Sequence, residues 1–183
     1  MTSAQVHMPK SITNRRYQIR EKIFTIGISF KIKDEFGHDK YIIRSSPWTL
    51  GRKLTFEDMN GNALLKIHQK GFRLLDQFSI LSARDSELNE PVASIREKFT
   101  FFKYSYKIYS IYGEYKLKGL DVLNHAFTLT NKDGKTIAIV NKKFFAIADI
   151  YEVEVIDSNN DKKQEDHAFI LALIIALHCS VYY

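Results

Sequence analysis

Residues 168–177 read AFILALIIAL, ten apolar residues without interruption near the end of a 183-residue chain. As a helix this run is apolar on every side, so it must be covered all round. A bilayer would cover it, but spanning one takes about 20 residues. Lys162, Lys163, Glu165 and Asp166 make its entrance polar, and Asp157, Ser158, Asn159 and Asn160 can end a strand or start a helix. Three placements follow: a helix buried at the centre of a domain, an ordinary core helix or strand, or a membrane-inserted segment. The short length favours the first.

The remainder of the chain offers the cover as strands. ISFKIKD (28–34) sets Ile28, Phe30 and Ile32 against Ser29, Lys31 and Lys33. YEVEVID (151–157) sets Tyr151, Val153 and Val155 against Glu152 and Glu154. This alternation is the mark of a half-buried strand. Strand-like runs also occupy 17–26, 39–45, 48–58, 63–69, 72–83, 92–99, 125–130 and 135–140, with turns at DEFGHDK, Asn60-Gly61 and Asp133-Gly134. Ten or more short strands without crossover helices predict an antiparallel all-β fold. A barrel closed around the apolar run would cover it and leave no exposed sheet edge. Residues 1–15 carry little pattern and are expected to be a flexible N-terminal segment. Residues 16–183 suit a single domain.

The net charge of +6 favours anionic partners without choosing among them. The densest basic and aromatic stretch is FTFFKYSYKIYSIYGEYKLK (99–118). Phe102, Tyr104, Tyr106 and Ile108 fall on one face of a strand, and Lys103, Ser105 and Lys107 on the other. Tyr109 and Ile111 then break the alternation, which predicts a bulge or a strand end near 108–110. The stretch reads either as a solvated outer face or as a basic patch for a phosphorylated or lipid partner. Arg96, Lys98, Lys103, Lys107, Lys116 and Lys118 would carry the patch. A second cluster, Lys10, Arg15, Arg16, Arg20 and Lys22, reads either as a phosphate anchor or, more commonly for such a run, as a soluble face or flexible arm.

Other chemistries find little support. Cys179 is the single cysteine and reads as a small buried hydrophobe. With no signal-peptide core, it points to a reducing, cytoplasmic setting. None of the six histidines stands in a ligand motif, so no metal is expected. The acidic stretch 157–166 lacks the spacing of a calcium loop. There is no nucleophile elbow and no phosphate-cradling glycine loop, so neither an enzyme nor a cofactor is expected. His68 and His125 adjoin apolar runs and read as satisfied core histidines.

The pieces RRYQIREKIFTIG, DEFGHDK, LTFEDMNGNALLKIHQK, NHAFTLTNKDGKTIAIVNKKFF, YEVEVID and AFILALIIALH follow one another over residues 16–180. In that order and spacing the chain resembles the LURP-one-related family, whose fold is similar to the tubby C-terminal domain and the phospholipid scramblases. The resemblance implies a mainly β, tubby-like closed antiparallel barrel of about twelve strands around a buried hydrophobic C-terminal helix. Tubby-like proteins are associated with phosphoinositides, and scramblases with membranes, calcium and DNA. Lys142 and Lys143 occupy the basic pair that precedes an aromatic residue in the family pattern, and they join the candidate anionic-ligand residues. The cysteine-rich and proline-rich segments typical of scramblases are absent, so scrambling is not expected.

The expected function is a non-enzymatic binding module for phosphoinositide or another anionic lipid headgroup. The protein would be cytoplasmic and peripheral at the inner membrane surface, with no transmembrane span. The alternative is a structural or protein-interaction domain with no small ligand.

Overall fold

The computed structural model describes residues 14–22, 27–46, 51–69, 77–83, 91–98, 105–120, 126–144, 149–156 and 167–182. Twelve strands and one helix follow in chain order: β1 (Asn14–Glu21), β2 (Ser29–Asp34), β3 (Asp39–Ser45), β4 (Lys53–Asp58), β5 (Ala63–Gln69), β6 (Gln77–Ser82), β7 (Ala93–Lys98), β8 (Ser105–Ser110), β9 (Gly113–Gly119), β10 (Ala126–Asn131), β11 (Thr136–Phe144), β12 (Asp149–Ile156) and α1 (His167–Tyr182). Each strand pairs antiparallel with its chain neighbours, and β1 pairs with β12 to close the barrel. β1 begins at Asn14, inside the segment expected to precede the domain.

Alternation places one face of each strand inside. Phe30 and Ile32 of β2, and Tyr151, Val153 and Val155 of β12, are buried as their spacing predicts. α1 fills the interior, and every residue from Ala168 to Cys179 is buried. A helix apolar all round thus meets strand side chains all round. Truncating Leu171 or Leu173 to Ala would cost about 2–5 kcal/mol through lost burial and a cavity. Among the described residues no helix is long and apolar enough to cross a membrane.

Polar contacts fix both ends of the helix. His167 and His178 are eleven residues apart, about three turns, so they share one helix face. The Tyr17 hydroxyl of β1 lies 2.7 Å from His167 Nδ1, and the Tyr151 hydroxyl of β12 lies 2.5 Å from His178 Nδ1. Arg52 donates to the Cys179 carbonyl at 2.7 Å, satisfying one of the acceptors that a helix C-terminus leaves open. Burial pushes the Cys179 thiol up to about 12, in keeping with an inert core residue.

Three turns share one design. Oδ1 of Asp34, Asp58 and Asn131 accepts from the backbone N–H groups two and four residues on. The glycine three residues on, Gly37, Gly61 or Gly134, has φ of 82, 83 or 81° and donates its N–H to the carbonyl of that same Asp or Asn. The register slips beside each turn, at Ile32/Lys33, Phe56/Glu57 and Leu129/Thr130. Each is a type I turn closed by a glycine bulge. Connections alternate between the two ends of an antiparallel barrel, so these turns and the β8–β9 turn all stand at one rim.

Candidate anion-binding face

Inside the barrel, the described residues line a small cavity. A cavity of about 20 Å³ lies between α1 and the wall, beside Tyr106, Tyr151, Leu177 and His178. That is space for about one water molecule. An open groove of about 480 Å³ crosses β2, β1, β12 and β11. Arg16 and Lys33 face Asp34, Glu35, Glu152 and Glu154 there, so its balance is acidic and disfavours an anion.

The outer face of β7, β8 and β9 has the opposite character. Arg96 is the register partner of Lys107, and Lys107 is the register partner of Lys116. All three point outward, because their neighbours Ile95, Tyr106, Ile108, Tyr115 and Leu117 are buried. Directly opposed residues in antiparallel strands stand about 4.5–5.5 Å apart at Cα. The row from Arg96 to Lys116 therefore spans roughly 10 Å. Lys118 is also exposed, two residues along β9 and opposite Ser105. Among the described residues, no carboxylate pairs with Arg96, Lys107, Lys116 or Lys118.

Several groups join the row that alternation alone does not mark. Tyr109 stays on the outer face, and the Arg96 guanidinium lies 5.9 Å from its ring centroid. β8 ends at Ser110, so of the two explanations for the broken alternation the strand end holds. Thr130 is opposite Lys116 and Thr128 is opposite Lys118, which adds two hydroxyl-bearing residues to the neighbouring strand of this face. Their part in the row depends on strand register, which no local pattern reveals.

The other expected residues separate. Lys103 lies outside the described residues. Lys98 is described by its backbone, opposite Ser105. Lys142 and Lys143 do not act as a pair, because consecutive strand residues face opposite sides. Lys142 is turned into the barrel, 6% exposed, with Nζ 5.7 Å from the Tyr151 ring centroid. Lys143 faces outward and its Nζ lies 2.5 Å from Glu152. Arg16, from the N-terminal cluster, reaches Glu154 at 3.6 Å.

His68 is half-buried but stands on the outer face, not in the core as expected, because its neighbour Ile67 takes the inward position. Burial, and then the charges of Lys53 and Lys66, hold its pKa below the ordinary imidazole range. His125 lies outside the described residues. No group of three potential metal ligands occurs among the described residues.

The chain is 26% identical over 165 residues to the uncharacterized protein YxjI of Bacillus subtilis (strain 168), covering 90% of this chain and 92% of that one. A protein from Arabidopsis thaliana solved by X-ray crystallography superposes with a TM-score of 0.47 at 14% identity, over 90% of each chain. The LURP-one-related family model matches residues 15–178. A closed barrel around an apolar helix, with a match along nearly the whole chain, leads to one assignment: the protein belongs to the LURP-one-related family.

Proposed function

We propose that this barrel is a non-enzymatic binding module whose β7–β9 face takes an anionic phosphate headgroup, as carried by a phosphoinositide or another acidic lipid. One observation carries the reading: Arg96, Lys107 and Lys116 stand in a single cross-strand row, with Lys118 beside it and no carboxylate paired to any of them among the described residues. Like charges directly opposite one another destabilise a sheet. A row that works against the fold is accounted for by an anion that fills the space between the charges. Arg offers a planar fork for phosphate oxygens and Lys a mobile point charge.

Liposome co-sedimentation tests the reading. Neutral, phosphatidylserine-containing and phosphoinositide-containing vesicles are compared at low and physiological salt. Each Lys or Arg near an anionic surface contributes about 1 kcal/mol, so Lys107→Ala with Lys116→Ala lowers binding by roughly thirtyfold. Lys143→Ala, at a cation already held by Glu152, leaves binding within about twofold. Binding that vanishes for every acidic vesicle at physiological salt would reduce the row to nonspecific attraction. Equal loss in both variants would remove the face from consideration.

A further inference from the structure

Five large hydrophobic residues are exposed among the described residues: Phe36 (76%), Ile111 (64%), Leu120 (54%), Met59 (46%) and Tyr109 (40%). Tyr109 and Ile111 belong to the β8–β9 hairpin, which also carries Lys107, Lys116 and Lys118. Ile111 is its tip. The turn chemistry does not demand an isoleucine there. Ser110 Oγ accepts from the Tyr112 N–H at 3.1 Å and donates to the Gly113 carbonyl at 2.9 Å, and Gly113 takes a φ of 132° that suits glycine. Those residues shape the turn and leave position 111 free. A β-branched apolar residue, 64% exposed at such a tip, is the unusual choice.

The tip is also held still. The Tyr112 ring packs against Phe169 of the central helix with centroids 4.9 Å apart, and the Ile111 N–H donates to the Val92 carbonyl at 3.0 Å. Ile111 is thus presented outward from a turn pinned to the core, so docking requires little further ordering.

Resting on the headgroup reading above, we infer that the protein docks on an anionic bilayer with the β8–β9 hairpin leading, Ile111 entering the boundary between headgroups and acyl chains. Among the described residues, three apolar tips stand at this rim, and charge chooses this one. On β2–β3, behind Phe36, Asp34, Glu35 and Asp39 stand against Lys31, Lys33, Lys40 and Arg44, with Lys31 and Lys33 paired to Asp39, and on β4–β5, behind Met59, Glu57 and Asp58 stand against Lys53 and Lys66. Neither of these tips has an uncompensated basic row behind it to draw it to an anionic surface. On β8–β9 the only carboxylate is Glu114, against Lys107, Lys116 and Lys118.

The geometry is graded along the hairpin. Lys107 lies four residues behind Ile111, about 13 Å at the strand rise. Interfacial apolar groups enter about 5–10 Å. Ile111 at that depth leaves the basic row at headgroup level, within reach of extended lysine side chains. Tyr109, outward between them, sits where interfacial aromatic residues collect. A bilayer accepts an isolated apolar point, whereas a protein partner needs a matching pocket.

The test uses the full chain with Ile111→Cys, labelled with an environment-sensitive fluorophore, and Leu120→Cys at the opposite end as the control. Cys179 is buried in the core and stays unlabelled. Vesicles are phosphatidylcholine alone, with phosphatidylserine, or with a phosphatidylinositol bisphosphate, and a soluble inositol polyphosphate is added separately. The expected result is a blue shift and at least a twofold rise in emission at position 111 on anionic vesicles only. Nitroxide-bearing lipids quench it, and position 120 is unchanged. Ile111→Asp is expected to weaken vesicle binding at least tenfold without moving the thermal melt.

Co-sedimentation of the protein with no change at position 111 overturns the insertion and leaves the headgroup reading standing. A response to soluble inositol polyphosphate equal to that on vesicles assigns the face to a free phosphate and overturns the bilayer. Absence of co-sedimentation by the unmodified protein overturns both.

Discussion

Two outer faces of the same barrel carry lysine and arginine at the same alternate positions, yet they differ in what stands opposite. On β12, β1, β2, β3 and β4 many cations meet carboxylates. Arg16 pairs with Glu154, Lys31 and Lys33 with Asp39, Arg44 with Glu57, and Lys143 (on β11) with Glu152. On β7–β9, Arg96, Lys107 and Lys116 meet one another. The alternation that sends a lysine outward is identical in the two places. Register decides whether it becomes half of an ion pair or part of an uncompensated row. The first arrangement serves the fold modestly, since exposed pairs give about 0–1 kcal/mol. The second opposes the fold and is suited to an external anion.

Reversing the charge of the row breaks this comparison most severely. Lys107→Glu with Lys116→Glu places carboxylates opposite Arg96 and beside Lys118, making the basic face resemble the compensated one. At about 1 kcal/mol per charge and four units of charge changed, vesicle binding falls by a hundredfold or more. The melting temperature holds, because repulsion across β7–β8 turns to attraction while like charges still oppose one another across β8–β9. A variant that keeps its binding would show that the row is only a solvated face.

The converse change releases a cation on the other side. Glu152→Gln removes the carboxylate that holds Lys143. If a dense row is what an anion needs, one freed lysine does not make a second site, and vesicle binding changes by less than about threefold. The loss of the exposed pair costs about 0.2–1 kcal/mol in urea denaturation. A gain in headgroup-selective binding as large as the row supplies would mean that any free lysine suffices.

A smaller effect is expected in stability alone. Lys107→Thr removes the cation that stands between Arg96 and Lys116 and puts a good strand former in its place. It should stabilise the barrel by about 0.2–1 kcal/mol, read as a shift of the urea midpoint. The slope of the transition should stay the same, because nothing buried is altered. A destabilised variant would show that Lys107 supports the sheet by its stem or charge, and that the row does not work against the fold.

The fold was legible in the sequence because its signals are local. The run 168–177 demands cover on every side, and the alternation in 28–34 and 151–157 names its own inner face. Turn chemistry at Asn60-Gly61 and Asp133-Gly134 places hairpins without knowledge of the rest. The site was legible only in part. Arg96, Lys107, Lys116 and Lys118 lie on outward positions that alternation can identify, but their alignment across three strands depends on register. Lys142 and Lys143 are adjacent in sequence, and the strand separates them to opposite sides of the wall. The two helix-end histidines were hidden for a similar reason. Their shared face follows from spacing, but Tyr17 and Tyr151 come from strands at opposite ends of the chain.

The smallest expected effect separates two turns of the same rim by pH. The turns of β2–β3 and β4–β5, on the compensated side, are built on Asp34 and Asp58, whereas the β10–β11 turn uses Asn131 for the same backbone contacts. Hydrogen bonds from the Asn62 side chain and backbone hold the Asp58 carboxyl below its ordinary value. A carboxyl whose pKa is lowered by folding contributes stability above the unfolded value, about 3.9, and that contribution is lost as pH falls through the folded value. Asn131 has no proton to gain. Acid should therefore loosen the β4–β5 turn before the β10–β11 turn, seen by hydrogen exchange at the Asn60 and Asn62 amides against Asp133 and Lys135. Asp58→Asn keeps an acceptor for those amides and should flatten the acid dependence of the β4–β5 turn while leaving its exchange near neutral pH almost unchanged. Equal acid sensitivity at both turns, or an unaltered profile in Asp58→Asn, would show that the carboxylate is not what distinguishes the two turns in acid.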